Sequence, residues 1–161
     1  MSLTIAADRQ TQSAIWPYVQ IARVDHWFKN AFMLLGVVLA MFYEPSLVSW
    51  SSVAPLAIAV LSTCLVASSN YVLNELLDGP RDRLHPEKRH RPVPAGLIRP
   101  SIAYAEWLAL AAAGFALALS LNVYFFASAL TLWIMGILYN VPPLRTKEWP
   151  YLDVLSESVN N

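Results

Sequence analysis

The chain has 161 residues and a formal net charge of zero, with 57% of its residues hydrophobic and only 14% charged. Soluble domains run at about 45–50% apolar and about 25% charged. A composition this apolar, within the length of a single domain, excludes an ordinary soluble fold and points to a membrane protein.

Uncharged runs set the spans. Residues 45–74 and 107–144 contain no Asp, Glu, Lys or Arg. A hydrocarbon core about 30 Å thick takes roughly 20 helical residues to cross, so the first run holds one span and the second holds two. In chain order, residues 1–22 read as a cytoplasmic amino-terminal segment. The first span is expected near 24–43, with Lys29 snorkelling to the interface and Glu44-Pro45 ending it. The second follows near 53–78, and residues 79–100 form a polar loop. A third span is expected near 102–121. Beyond the turn Ser120-Leu121-Asn122, a fourth covers 123–139. Pro142-Pro143 stops it, because neither proline donates a backbone hydrogen bond, and a fifth helix begins at Tyr151. The fold class is therefore all-α: a multi-span transmembrane helical bundle of four spans plus the start of a fifth.

All eleven basic residues fall before or at the start of span one, between spans two and three, or after span four. The other two connections carry none. With the amino terminus inside, this satisfies the positive-inside rule without exception and predicts an integral protein, of a bacterial inner membrane, with its amino terminus cytoplasmic. Trp27, Tyr43, Trp50, Tyr104, Trp107, Tyr124, Tyr139, Trp149 and Tyr151 fall near predicted helix ends, where amphipathic rings favour the interface. The first fifteen residues are mostly polar, so no signal peptide is expected. Cys64, alone in an apolar run, reads as a packing residue and rules out a cysteine-based zinc site within the chain.

Chemistry concentrates in Asn74-Glu75-Leu76-Leu77-Asp78-Gly79-Pro80-Arg81-Asp82. Asn74 and Asp78 are four apart and share a helix face. Gly79-Pro80 is expected to break the helix, so Asp82 returns from a turn. Arg81, Arg83, His85, Lys88, Arg89, His90 and Arg91 follow. Hard oxygen donors suit Mg²⁺ together with phosphate oxygens, and arginine and lysine suit the phosphate; the plainer alternative is interfacial solvation of charges beside a span. A second acidic pair, Asp153 and Glu157, opens the fifth helix, where a solvated first turn favouring acids is an equal explanation. His85 and His90 lack a third ligand for zinc.

The stretch N-E-L-L-D-G-P-R-D-R-L-H-P-E-K-R-H-R-P-V-P-A-G, Asn74 to Gly96, resembles the first aspartate-rich signature of the UbiA superfamily of intramembrane prenyltransferases. That signature is N-D-x-x-D-x-x-x-D, often followed by H-P-x-K-R-x-R-P-x-x-x-G. Asn74, Asp78 and Asp82 match it, and Glu75 replaces an aspartate. Trp27-Phe28-Lys29-Asn30 is similar to the W-x-K-N of some members, and Asp153-x-x-x-Glu157 to the second D-x-x-x-D signature.

The resemblance implies a bundle of about nine transmembrane helices, of which this chain would supply about half, within a domain running from residue 23 to 161. It implies Mg²⁺ held by Asn74, Glu75, Asp78, Asp82, Asp153 and Glu157, with Asp78, Asp82 and Asn74 as the catalytic set. Lys29, Asn30, Lys88, Arg89, Arg91, Arg145 and Lys147 are the expected substrate contacts. The implied reaction moves a prenyl group from a polyprenyl diphosphate to an acceptor at the cytoplasmic face. One branch, similar in its W-x-K-N and H-P-x-K-R-x-R-P, instead transfers phosphoribosyl onto a polyprenyl phosphate. A non-catalytic, truncated membrane protein is the alternative from another class. The expected partners are the polyprenyl substrate and membrane lipid, with no nucleic acid.

Overall fold

The computed structural model describes residues 15–149. Among them the regular structure is entirely helical. A short helix α1 (Trp16–Ile21) leads through a 3₁₀ segment (Val24–Phe32) into α2 (Met33–Tyr43). Then come α3 (Val53–Asp82), α4 (Pro100–Leu121) and α5 (Val123–Asn140). Four stretches are long and apolar enough to cross a membrane: Trp16–Tyr43, Trp50–Asp82, Pro100–Leu121 and Val123–Asn140. Large apolar side chains such as Leu35, Phe42, Leu108 and Leu119 stay outward and exposed, as a bilayer-facing surface requires. The protein is an integral membrane bundle.

Each helix starts where its sequence permits. Pro100 opens α4 at a position whose N–H would be unsatisfied in any case. At the turn between α4 and α5, Asn122 Oδ1 accepts from the Phe125 N–H at 2.8 Å, capping α5.

Lipid offers helices no hydrophobic gain from pairing, so they associate through close packing and hydrogen bonds. Helix α3 is the hub. On its α4 side, Ser62 Oγ donates to the Gly114 carbonyl at 2.8 Å and Ser69 Oγ to the Trp107 carbonyl at 3.0 Å. The donors and the acceptors are each spaced by two helical turns and run in opposite directions, which fixes an antiparallel register. The approach is close because Gly114 has no side chain: a Cβ there would sit 2.7 Å from Val66 Cγ2. Facing α5, Asn70 Nδ2 donates to the Leu132 carbonyl at 3.1 Å. Ser69 Oγ also accepts from Trp133 Nε1 at 3.1 Å. Trp107, expected near a helix end, instead stacks on Trp133 between α4 and α5, with ring centroids 5.3 Å apart and planes 16° apart.

The first span differs from a simple helix over 24–43. It begins at Trp16, turns at Arg23 (φ 49°) and continues as a 3₁₀ helix. In a three-residue repeat, side chains at i and i+3 eclipse, so Trp27 and Asn30 stand in one line toward α3. Trp27 Nε1 donates to Ser68 Oγ at 2.9 Å and Asn30 Nδ2 to Cys64 Sγ at 3.3 Å. The receiving residues are one α-helical turn apart, so the two periods meet at this seam.

Gly136 on α5 is the most closely approached of the five glycines. A Cβ there would lie 2.1–2.4 Å from the Asn70 amide group. Gly136→Ala should therefore destabilise the folded protein by about 1–3 kcal/mol, read as a lowered thermal midpoint in detergent. Asn70→Ala in the same chain should return most of the loss, because the obstructing amide is gone.

Candidate active site

At 30 residues, α3 is about 45 Å long, well beyond the roughly 30 Å of hydrocarbon. One end therefore stands clear of the apolar core, and the acidic residues are at that end. The sequence expectation of a break at Gly79-Pro80 is not met: α3 continues through Pro80 to Asp82. Part of the clash that drives a residue before proline out of the helical region comes from that residue's Cβ, and Gly79, having none, is relieved of that part. Asp82 thus lies one turn beyond Asp78 on the helix rather than on a returning turn.

The loop after α3 folds back over the end of the helix. Arg91 Nη1 pairs with Asp82 Oδ2 at 2.9 Å. The Val93 N–H donates to Glu75 Oε1 at 3.3 Å, and Glu75 is 3% exposed. A Cβ on Gly79 would come within 2.7 Å of Val93 Cγ1, so glycine is also what lets the loop lie this close. Further on, the Arg99 N–H donates to Tyr18 Oη at 3.2 Å. Ile21 and Ala22 pack with Val72, Ile98 and Ala103, which seats α1 against the base of the loop.

Between these pieces is a cavity of about 350 Å³. From α3 it takes Tyr71, Asn74, Glu75 and Asp78; from the loop, Lys88 and Arg91; and Arg23, Tyr139 and Lys147 close the remaining walls. Four basic side chains thus face two carboxylates. Arg23 holds a left-handed backbone (φ 49°) with its guanidinium 5.7 Å from the Tyr71 ring centroid. Such a conformation costs a non-glycine residue about 1–3 kcal/mol and occurs where the surroundings demand it.

The segment after α5 acts as a strap over this cavity. Arg145 Nη2 bonds Asp78 Oδ1 at 2.6 Å, and Lys147 Nζ reaches Oδ1 at 2.8 Å and Oδ2 at 2.7 Å. Lys147 also donates to Asn140 Oδ1 at 3.0 Å and lies 5.9 Å from the Tyr139 ring centroid. Arg145 Nε pairs with Glu148 at 2.7 Å, and Glu148 pairs in turn with Arg81. Burial pushes the Lys147 ammonium below the usual lysine range, opposed by the hydrogen bond and charge of Asp78. Arg145, like Arg23, has a left-handed backbone (φ 31°).

Of the expected site residues, Asn74, Glu75, Asp78, Lys88, Arg91 and Lys147 come together in the cavity, with Arg145 on Asp78. Four others lie elsewhere. Asp82 is not on the cavity wall and is taken up by Arg91. Arg89 is exposed, with Nε directed at His90 Nε2. Lys29 is exposed on the first span, and Asn30 is spent on Cys64. Asp153 and Glu157 lie outside the described residues. Sequence reasoning missed Arg23, Tyr71 and Tyr139. Only Tyr71 carried a readable signal, being three and seven residues before Asn74 and Asp78 on one helix face.

The family model for the UbiA prenyltransferase family matches residues 31–159. The chain belongs to that family. Among curated relatives, the nodulation protein NoeC of Azorhizobium caulinodans is 43% identical over 75 residues, 47% of this chain and 23% of that protein. Decaprenyl-phosphate phosphoribosyltransferase of Mycolicibacterium smegmatis is 29% identical over 119 residues, 74% of this chain and 36% of that protein. Digeranylgeranylglyceryl phosphate synthase of Saccharolobus solfataricus is 28% identical over 128 residues, 80% and 43% respectively. The chain spans less than half the length of these relatives. The family is one of prenyl-transferring membrane enzymes, and the bundle seen here is a membrane bundle of that kind.

The Asp82–Arg91 pair holds the loop over the cavity. Arg91→Met should strand a carboxylate that is 9% exposed, at a cost of about 1–3 kcal/mol. The check is limited proteolysis: cleavage within residues 83–99 should rise in Arg91→Met and fall back in the double variant with Asp82→Asn.

Proposed function

We propose that the protein is a Mg²⁺-dependent membrane transferase whose reaction releases diphosphate at this cavity while a polyprenyl chain stays in the bilayer. The observation that carries the reading is the convergence, on the protruding end of α3, of Asn74 and Asp78 with Lys88, Arg91, Arg23 and Lys147 around one cavity. Among the described residues, no three His, Cys, Asp or Glu side chains form a metal-binding group. Magnesium takes one or two carboxylates and completes its shell with water and phosphate oxygens. Asp78 and Asn74 would hold it, with Glu75 beside them. When bound, the metal would neutralise charge on the departing diphosphate.

The chain's own residues have the remaining tasks. Arg23, Lys88 and Arg91 stabilise phosphate oxygens as negative charge builds on the leaving group. The Glu75 carboxylate, bonded to the Val93 N–H, keeps the loop and its cations in place. The apolar helices below keep water from the electrophilic carbon. The positive-inside distribution of all eleven basic residues supports a cytoplasmic position for the cavity, in a bacterial inner membrane.

Two donors satisfy this chemistry. A polyprenyl diphosphate gives prenyl transfer to an acceptor, as the family signature suggests. Phosphoribosyl diphosphate, with a polyprenyl phosphate as acceptor, gives the second reading. That one has specific support: relatives named decaprenyl-phosphate phosphoribosyltransferase are 29% and 31% identical over 74% and 68% of this chain, and Trp27-Phe28-Lys29-Asn30 is similar to that branch.

The test uses the full-length protein in proteoliposomes, assayed with each donor in the presence of Mg²⁺. Asp78→Asn is expected to lower turnover by at least about 10² while membrane insertion stays unchanged. Undiminished turnover in that variant removes the proposal, and the donor that supports turnover in the wild type chooses between the readings.

A further inference from the structure

The carboxylate on which the proposed function places the metal is already occupied. Both Asp78 oxygens accept hydrogen bonds: Oδ1 from Arg145 at 2.6 Å and Lys147 at 2.8 Å, and Oδ2 from Lys147 at 2.7 Å. A divalent cation approaching Asp78 alone meets two positive charges at contact distance, with three of the carboxylate's about four lone-pair sites already taken. Nor are these cations loose surface groups, since the side chains of Arg145 and Lys147 are only 11% and 14% exposed. Taking Asp78 away would leave two largely buried positive charges without their partner, which is strongly unfavourable.

Each cation has a second anchor that does not depend on Asp78. Lys147 is held by Asn140 Oδ1 at 3.0 Å, and Asn140 is itself 2% exposed, with Nδ2 bonded to the Gly136 carbonyl at 2.8 Å. Arg145 is held by Glu148 at 2.7 Å, which also engages Arg81. Released from Asp78, both side chains would remain at the rim of the cavity.

From this arrangement we infer that Asp78 exchanges partners on ligand binding. In the free protein it is neutralised by Arg145 and Lys147, and a divalent cation gains it only when a diphosphate takes over those two side chains. Metal and diphosphate therefore enter as a coupled pair. The inference rests on the diphosphate reading of the cavity and adds its binding logic. Metal without anion strands two cations; anion without metal sets phosphate beside an ionised Asp78. Coupling of this kind is reciprocal, so each ligand tightens the other by the same factor. The strap after α5 keeps the site from loading with metal alone.

The test measures Mn²⁺ and radiolabelled inorganic pyrophosphate retained by the full-length protein in lipid nanodiscs, at fixed free Mn²⁺. In the wild type, retention of each ligand should strengthen about tenfold or more when the other is present. Lys147→Met should bind Mn²⁺ alone about tenfold more tightly than wild type and retain less pyrophosphate, whereas Lys147→Arg should keep the coupling. Wild-type protein that binds Mn²⁺ equally well with and without pyrophosphate, while retaining pyrophosphate, overturns the exchange and leaves the diphosphate reading standing. Failure to retain pyrophosphate under any condition overturns the diphosphate reading, and the exchange with it. The wild-type comparison needs no variant to fold.

Discussion

One hydroxyl joins three helices. Ser69 on α3 donates to the Trp107 carbonyl of α4 and accepts from the Trp133 indole of α5, and those two rings stack on each other. In an apolar solvent a polar side chain without a partner is costly, so several polar residues along α3 become instructions about what must lie beside it, while Thr63 bonds back to the Ala59 carbonyl of its own helix. Ser62 specifies α4, Asn70 specifies α5, and Cys64 and Ser68 specify the first span. Individually such bonds contribute about 0.6 kcal/mol in membrane proteins. Their importance is that they leave few alternative registers for the surrounding helices.

Register is what carries the packing through to the site. α3 and α5 run parallel, and Asn70 seated on Gly136 fixes how far α5 extends along its neighbour. One turn past Gly136 is Asn140, which holds Lys147, which holds Asp78. A shift of α5 by one residue would rotate Asn140 by about 100° and separate the strap from the acid it covers. The membrane-buried contact and the charged cavity are thus one mechanical unit, even though they occupy different dielectric surroundings. On the other wall, α1 plays the same part for Arg23, with Ile21 and Ala22 packed against α3 and α4.

The spans were legible because bilayer thickness sets a length that charge-free runs reveal directly. The acidic and basic signature was legible because its residues are close together in sequence. What stayed hidden depended on one of three things. Long-range docking brought Arg23 and Tyr139 to the cavity, and nothing local to either residue announces that. Local stereochemistry decided Gly79-Pro80, where α3 continues because glycine has no Cβ to add to the clash with the proline ring. The W-x-K-N tract is a third case. Its tryptophan and asparagine are spent on holding the first span to α3, and Lys29 is exposed away from the cavity. A motif recognised by its chemistry here does structural work, because a 3₁₀ repeat puts its first and fourth residues in line.

The balance of charge around the cavity follows from the same economy of partners. Of the two carboxylates on its wall, Glu75 is tied to the Val93 N–H and Asp78 to the strap, while Asp82 is withdrawn from the wall to hold Arg91. Lys88 lines the cavity with no carboxylate in ion-pair distance among the described residues, and Arg23 faces it with its guanidinium over the Tyr71 ring. The cavity is therefore net positive, with Asp78 ion-paired and Glu75 hydrogen-bonded. Such a surface attracts a polyanion first, and under the proposed exchange it is that anion which would draw Arg145 and Lys147 away from Asp78. Pairing Asp78 with Arg145 and Lys147 offsets part of that positive charge, which lets a site rich in both signs persist beside an apolar membrane without collapsing on itself.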